Sequence, residues 1–249
     1  MGMSAIVTGA SRKIGIGAEV ARVLAADGWE VFTTWWTPYD AERSWGSVAS
    51  EPMDLLNEIG GHGIEADLEQ VSSPAAIFDA AEAAIGPISA LVNVHTCDPG
   101  GGVFDIDAAA LDKHYAINVR STFLLCQQFA RQHDRQARSP SIVNFLTGPP
   151  QNGSVAYATT KGAAYWMSLS LGAELAPLGI RVNMVDPGPN DTGWMGEALA
   201  AEIAAMSPLG RVGTPGDAAS AVRFLVSPEG SWINGQLLRS DGGFSTLRS

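Results

Sequence analysis

The sequence predicts an α/β fold: one doubly wound parallel sheet of about seven strands with helices on both faces. Three observations carry that expectation. Short β-rich apolar runs alternate with longer stretches of helical spacing along the whole 249-residue chain, the pattern of parallel strands joined by helical crossovers. No Pro-, Gly- or Ser-rich linker and no internal repeat divides residues 1–249, so one domain is expected. Hydrophobic residues make up 46% of the chain, enough at this length for a large buried core.

In chain order the strand candidates are SAIVT (4–8), EVFTTW (30–35), GIEAD (63–67), ALVNV (90–94), SIVNFL (141–146), RVNMVD (181–186) and QLLRS (236–240). Between them, residues 17–28, 52–60, 74–86, 109–132, 155–176 and 217–227 carry apolar residues at helical spacing. In such a sheet, ligands bind at the carboxyl ends of the strands. Residues 35–52 contain three tryptophans, show no period and exceed an ordinary connection in length, which marks a functional or contact-forming loop.

The balance of 26 acidic against 15 basic residues, a net charge of -11, is opposite to what a nucleic-acid backbone attracts. Cys97 and Cys126 have no CxxC or His neighbour at ligand spacing, so neither a disulfide framework nor a metal site is expected. The N-terminal stretch runs straight into a strand pattern, and no apolar run approaches the length of a membrane span. A cytoplasmic protein is the expectation.

Two stretches carry chemistry. The first strand leads into Thr8-Gly-Ala-Ser-Arg-Lys-Ile-Gly-Ile-Gly17 and then a helix. Glycines let backbone approach a phosphate, and a helix N-terminus offers it unpaired N–H groups. Arg12 and Lys13, adjacent in this turn, suit an anion better than packing. In the helical segment 155–176, Tyr157 and Lys161 lie four residues apart and project from one face. An ammonium there would favour the phenolate and lower the pKa of Tyr157.

Together these stretches resemble the short-chain dehydrogenase/reductase family, marked by TGxxxGxG after the first strand and YxxxK in a later helix, and within it 3-oxoacyl-(acyl-carrier-protein) reductase-like members. Asp67 after the third strand, Asn93 in Leu-Val-Asn, Asn118 in Ile-Asn-Val, Pro187-Gly188 with Thr192, and the C-terminal Asn-Gly-Gln run also match. The resemblance implies a Rossmann-type domain. It implies a dinucleotide diphosphate on Gly9, Gly15 and Gly17, adenine at Asp67, and Asn93 along the ribose side. Ser11, Arg12, Lys13, Ile16, Thr34, Leu68, Pro187, Gly188 and Thr192 complete the implied cofactor set, with Tyr157 and Lys161. Tyr157 would donate the proton, Lys161 would support it, and Asn118 would help hold a relay water.

Three departures from the family pattern stand out. The glycine turn is two residues longer when Gly15-Ile16-Gly17 is aligned with the usual GxG, an alignment that keeps the following helix in register. The usual NNAG reads Asn93-Val-His-Thr96, and His95 fits either a substrate contact or a tolerated polar side chain. The expected catalytic serine falls at Thr147, with the stretch to Tyr157 shortened by about three residues.

At the end of the second strand, Thr33 to Thr37, no acid is present to hold an NAD ribose. NADP(H) is therefore expected over NAD(H), with Arg12 and Lys13 pairing the 2′-phosphate. The alternative is two solvated cations and an NAD ribose bonded by Thr33 or Thr34. A substrate lid is expected around 189–208, where Trp194, Met195, Leu199, Ile203 and Met206 fit either an apolar lid wall or core packing. The reaction expected is NADPH-dependent reduction of a ketone, 3-oxoacyl-like or a related biosynthetic carbonyl. A non-redox dinucleotide-binding or sensing protein and a dehydration on the same fold are the alternatives. A small carbonyl or alcohol, hydrophobic or carrier-bound, would be the partner. A homotetramer is implied by the family, and Ala163, Met167, Leu171 and Leu175 form an apolar face that fits a subunit contact or internal burial.

Overall fold

The computed structural model describes residues 3–137, 139–148 and 153–248. Seven strands, β1 (Ser4–Thr8), β2 (Glu30–Trp35), β3 (His62–Glu65), β4 (Ala90–Asn93), β5 (Ser141–Phe145), β6 (Arg181–Asp186) and β7 (Leu237–Arg239), form one sheet in the order β3-β2-β1-β4-β5-β6-β7. Every pairing is parallel. The chain winds outward from β1 to β3, then returns to lay β4 on the other side of β1. That reversal opens a crevice at the carboxyl ends of β1 and β4.

The helices are α1 (Ile16–Ala26), α2 (Thr37–Ala41), α3 (Glu51–Ile59), α4 (Ser73–Ile85), α5 (Ala108–Tyr115), α6 (Ser121–Gln132), α7 (Val155–Leu175), α8 (Glu197–Met206) and α9 (Pro215–Val226). Alternation of side chains along each strand explains why the strands read as continuous apolar runs. Ala5, Val7, Ala90, Val92 and Val143 face a layer made by Val20 and Leu24 of α1 with Val222 and Leu225 of α9. Their neighbours Ile6, Leu91 and Ile142 face the opposite layer, which contains Phe78 of α4 and Leu125 and Phe129 of α6. Each such side chain withdrawn from water contributes about 1.5–3 kcal/mol.

The segment expected as one helix over 109–132 is instead interrupted by a π turn at Ala116–Arg120, centred on Asn118. Of the apolar face expected on α7, Leu171 is buried in the second core layer with Met167 and Leu175 packed against it, while Ala163, Met167 and Leu175 keep part of their surface exposed. α9 begins with a reciprocal capping box, in which Thr214 and Asp217 each accept from the other's backbone N–H. Asp217 is also held by both arms of Arg211. Among the described residues no helix is long and apolar enough to cross a membrane.

Candidate active site

The crevice at the switch point is a cleft of about 850 Å³, walled at one end by Thr34, Asp67 and Leu68 and at the other by Thr147 and Tyr157. Its floor is the turn after β1. Gly9 has φ +76°, and a Cβ there would lie 2.7 Å from the backbone nitrogen of His95. A Cβ on Gly17 would run into the carbonyl of Gly9, so the turn and α1 close only because both residues are glycine. α1 starts at Ile16 with Gly15 as a cap that has no side chain to offer. The first N–H groups of the helix are thus left for a ligand. Gly9, Gly15, Ile16 and Gly17 all line the cleft, so the residues fit a dinucleotide diphosphate. The helix begins where the alignment of Gly15-Ile16-Gly17 puts it.

At the inner end, the hydroxyls of Thr96 and Thr147 stand close enough to the Tyr157 phenol to favour its ionised form, and the Thr96 hydroxyl itself donates to Asn118 Oδ1 at 3.3 Å. Burial, followed by the nearby charge of Asp98, outweighs these hydroxyls and pushes the phenol up to about 12. The expectation that Lys161 would bring Tyr157 toward neutrality is corrected. The ammonium sits 5.7 Å from the centre of the Tyr157 ring and donates to the carbonyl of Phe145 at 2.9 Å. It is 5% exposed, and burial brings it down to about 8. Spacing along α7 puts both residues on one face, but the free carbonyl at the end of β5 takes the ammonium.

Asn118 lies beneath the cleft rather than on its wall. Its Oδ1 accepts from the Cys97 N–H at 2.7 Å, and its Nδ2 donates to the Cys97 carbonyl at 2.9 Å and to Thr160 Oγ1 at 3.0 Å. The π turn aims this side chain inward, and both of its ends tie the segment carrying Thr96 to α7. Asn93, expected along the ribose, is buried in the sheet and its Nδ2 donates to Asn144 Oδ1 at 2.8 Å, while Asn144 Nδ2 donates to Ser168 Oγ at 2.9 Å. Lys13 is absent from the cleft wall. Its backbone N–H is held by Glu51 at 2.8 Å, and its charge acts on Glu58 of α3. Pro187 also lies off the wall, and its carbonyl accepts from Asn190 to shape the turn that brings Gly188 and Thr192 onto it. Ser11 and Arg12 are on the wall as expected.

His95 is buried and saturated: Nδ1 meets Thr8 Oγ1 at 2.7 Å, and Nε2 meets the hydroxyls of Ser121 and Thr122 at 3.0 and 3.2 Å. Burial, then the charge of Lys161, drives it down to about 3, so it is a neutral strut between β1 and α6. Beyond the expected set, the cleft is walled by Thr96, Asp98, Trp45, Asp40 and Glu42; on the α8 side, Trp194, Leu199, Ile203 and Met206 of the expected lid stretch line it. Acids therefore do reach the adenosine end, from α2 and the residue after it rather than from β2. Tyr39, also of α2, bridges to the loop after β4, its hydroxyl accepting from the Asp98 N–H at 3.0 Å and donating to the Asp98 carbonyl at 3.2 Å. Part of the shortened stretch before Tyr157, residues 149–152, lies outside the described residues.

The family model described as "Enoyl-(Acyl carrier protein) reductase" matches residues 9–245. An uncharacterized oxidoreductase of Bacillus subtilis, YjdA, is 38% identical over 244 residues, 96% of each chain. A short-chain dehydrogenase/reductase from Serratia marcescens superposes with a TM-score of 0.85 at 29% identity over 98% of both chains. A blue fluorescent protein from a metagenomic library, solved with NADPH, gives 0.85 at 30% identity over the same shares. Likeness that runs the length of both partners, with a glycine turn and a Tyr-Lys helix meeting at one crevice, settles the kinship: this chain belongs to the short-chain dehydrogenase/reductase family and is an oxidoreductase of that type.

Proposed function

We propose that the protein reduces a ketone to a secondary alcohol with NADPH, acting on an uncharged, largely apolar substrate of the 3-oxoacyl or related biosynthetic kind. The observation that carries this reading is the phenol of Tyr157, which lines the cleft beside Thr96 and Thr147 at the end opposite the adenosine wall. A phenol raised to about 12 holds its proton at neutral pH. It still gives that proton to an alkoxide, a far stronger base than a phenolate. Bound NADPH would supply hydride to the carbonyl carbon.

The carbonyl thus gains hydride at carbon and a proton at oxygen. Thr147 steadies the oxygen as negative charge develops, a contact that strengthens toward the transition state. Lys161, charged below about 8, lies behind Tyr157 as the next proton source. Trp194, Leu199 and Ile203 give the substrate end an apolar side, supporting residues 189–208 as a lid over a hydrophobic substrate.

NADPH is favoured by Arg12, which lines the cleft and makes no ion pair among the described residues. The NADPH bound by the blue fluorescent relative supports the same choice. Asp40 and Glu42 on the wall speak for NAD, since a carboxylate can accept from the ribose hydroxyls. A homo-oligomer is part of the proposal, supported by Tyr115, Phe123 and Trp166, exposed along α5, α6 and α7. Purified protein should oxidise NADPH in the presence of a panel of apolar ketones, followed by loss of nicotinamide absorbance. No turnover with any carbonyl, beside tight NADPH binding, would instead support the binding-protein alternative.

A further inference from the structure

Arg12 is held in an unusual way for a cation on a cleft wall. Its guanidinium carbon lies 5.2 Å from the centre of the Trp45 ring, and no carboxylate pairs with it among the described residues. Trp45 is itself fixed, because its Nε1 donates to Asp40 Oδ1 at 2.9 Å. Asp40 is only 6% exposed, and it sits in α2. That helix is moored at its start: the N–H and hydroxyl of Thr37 both go to Glu65 Oε1, at 3.0 and 2.5 Å, and the N–H of Trp36 reaches Ser11 Oγ at 3.2 Å. A chain of contacts thus runs from the end of β3 through α2 and Trp45 to the glycine turn.

We propose that Trp45 is a positioning residue for cofactor choice, holding Arg12 by its face so that the edge of the guanidinium is free for the 2′-phosphate of NADPH. This rests on the NADPH reading above. The physical reason is the shape of the cation. A guanidinium carries its five N–H groups in its plane, so a carboxylate partner would occupy the edge that a phosphate needs. An aromatic face restrains the same group through its flat side and leaves every donor available. The restraint also removes rotamer freedom before the ligand arrives, so less is lost on binding. Asp40, one of the acids on the cleft wall, has one oxygen committed to Trp45 and serves as its anchor.

The test uses two probes that differ only in the 2′-phosphate, 2′,5′-ADP and 5′-AMP, titrated calorimetrically against the full chain. In Arg12→Ala the preference for 2′,5′-ADP over 5′-AMP should fall about 10- to 100-fold. In Trp45→Leu it should fall about 3- to 10-fold, and Trp45→Phe should restore most of it because the aromatic face remains. Melting curves for each variant confirm that folded protein is being compared. Equal weakening of both probes in Trp45→Leu would overturn the proposal and make Trp45 a cover for adenine. No weakening of either would overturn it too. If Arg12→Ala itself leaves the preference intact, the NADPH reading fails at its source, an outcome distinct from a Trp45 that does nothing while Arg12 discriminates.

Discussion

Replacing Thr147 by Ala removes one of the two hydroxyls that line the cleft beside the Tyr157 phenol and leaves Thr96 in place. A hydrogen bond to a group that gains charge is worth about 1.5–3 kcal/mol, or about 10- to 100-fold in rate at 1.4 kcal/mol per decade. Loss of a single oxyanion donor elsewhere costs about 10²–10³ in kcat. Because the Thr96 hydroxyl remains beside the phenol, the expectation lies where these ranges meet, at about 10²-fold. Thr147→Ser keeps the donor and should stay within a few-fold of the parent. The assay is kcat for ketone reduction normalised to titrated NADPH sites, with Tyr157→Phe as the reference for lost chemistry. NADPH affinity should hardly change, since the hydroxyl acts at the reacting oxygen. An Ala variant as fast as the parent, beside an inactive Phe variant, would refute the argument and leave Thr147 as a structural residue at the end of β5.

The inner strands β1, β4, β5 and β6 were legible because each is buried along its whole length and so reads as a largely apolar run, whereas the edge strands β3 and β7 are only partly buried; register is supplied by pairing that no local pattern encodes. Helix periodicity likewise located α1, α4, α7 and α9. What escaped the sequence depends on partners distant along the chain. α2 is five residues long, too short to show a period, and is fixed by Glu65 and Asp98 rather than by its own pattern. The absence of acid at the end of β2 was read correctly, but Asp40 comes onto the wall from the next element. The four-residue spacing of Tyr157 and Lys161 gave the shared face and not the direction of the ammonium, which the carbonyl of Phe145 decides. Asn93 and His95 engage neighbours in the fold, the Asn93 amide nitrogen bonding Asn144 and the His95 ring Thr8, while Asn93 Oδ1 is buried without a hydrogen-bond partner. Thr96 was visible as a departure from the small residues expected there, and that departure was the signal for a second hydroxyl in the cleft beside Tyr157.

Two further outcomes follow from these placements. Asn93→Ala should destabilise the fold by about 1–3 kcal/mol by stranding Asn144, while the folded fraction binds NADPH as the parent does. A selective loss of cofactor affinity without loss of stability would return Asn93 to the ribose. The last concerns Lys161, whose ammonium burial lowers from its ordinary 10.5 to about 8. Below 8 both folded and unfolded chains hold this proton, and the fold bears the full cost of burying the charge. Between 8 and 10.5 the unfolded chain binds it more strongly, so the cost is relieved and stability rises with pH. From pH 7 to pH 9.5 the relief amounts to about 2 kcal/mol. Other groups titrate in that range, so the measurement is the difference in unfolding free energy between the parent and Lys161→Met, in the absence of cofactor. The parent should gain on the variant by about that amount as pH rises. A constant difference would mean that the ammonium is solvated well enough to keep its ordinary affinity. Lys161 would then be unable to take up and release protons near neutrality as the reserve behind Tyr157.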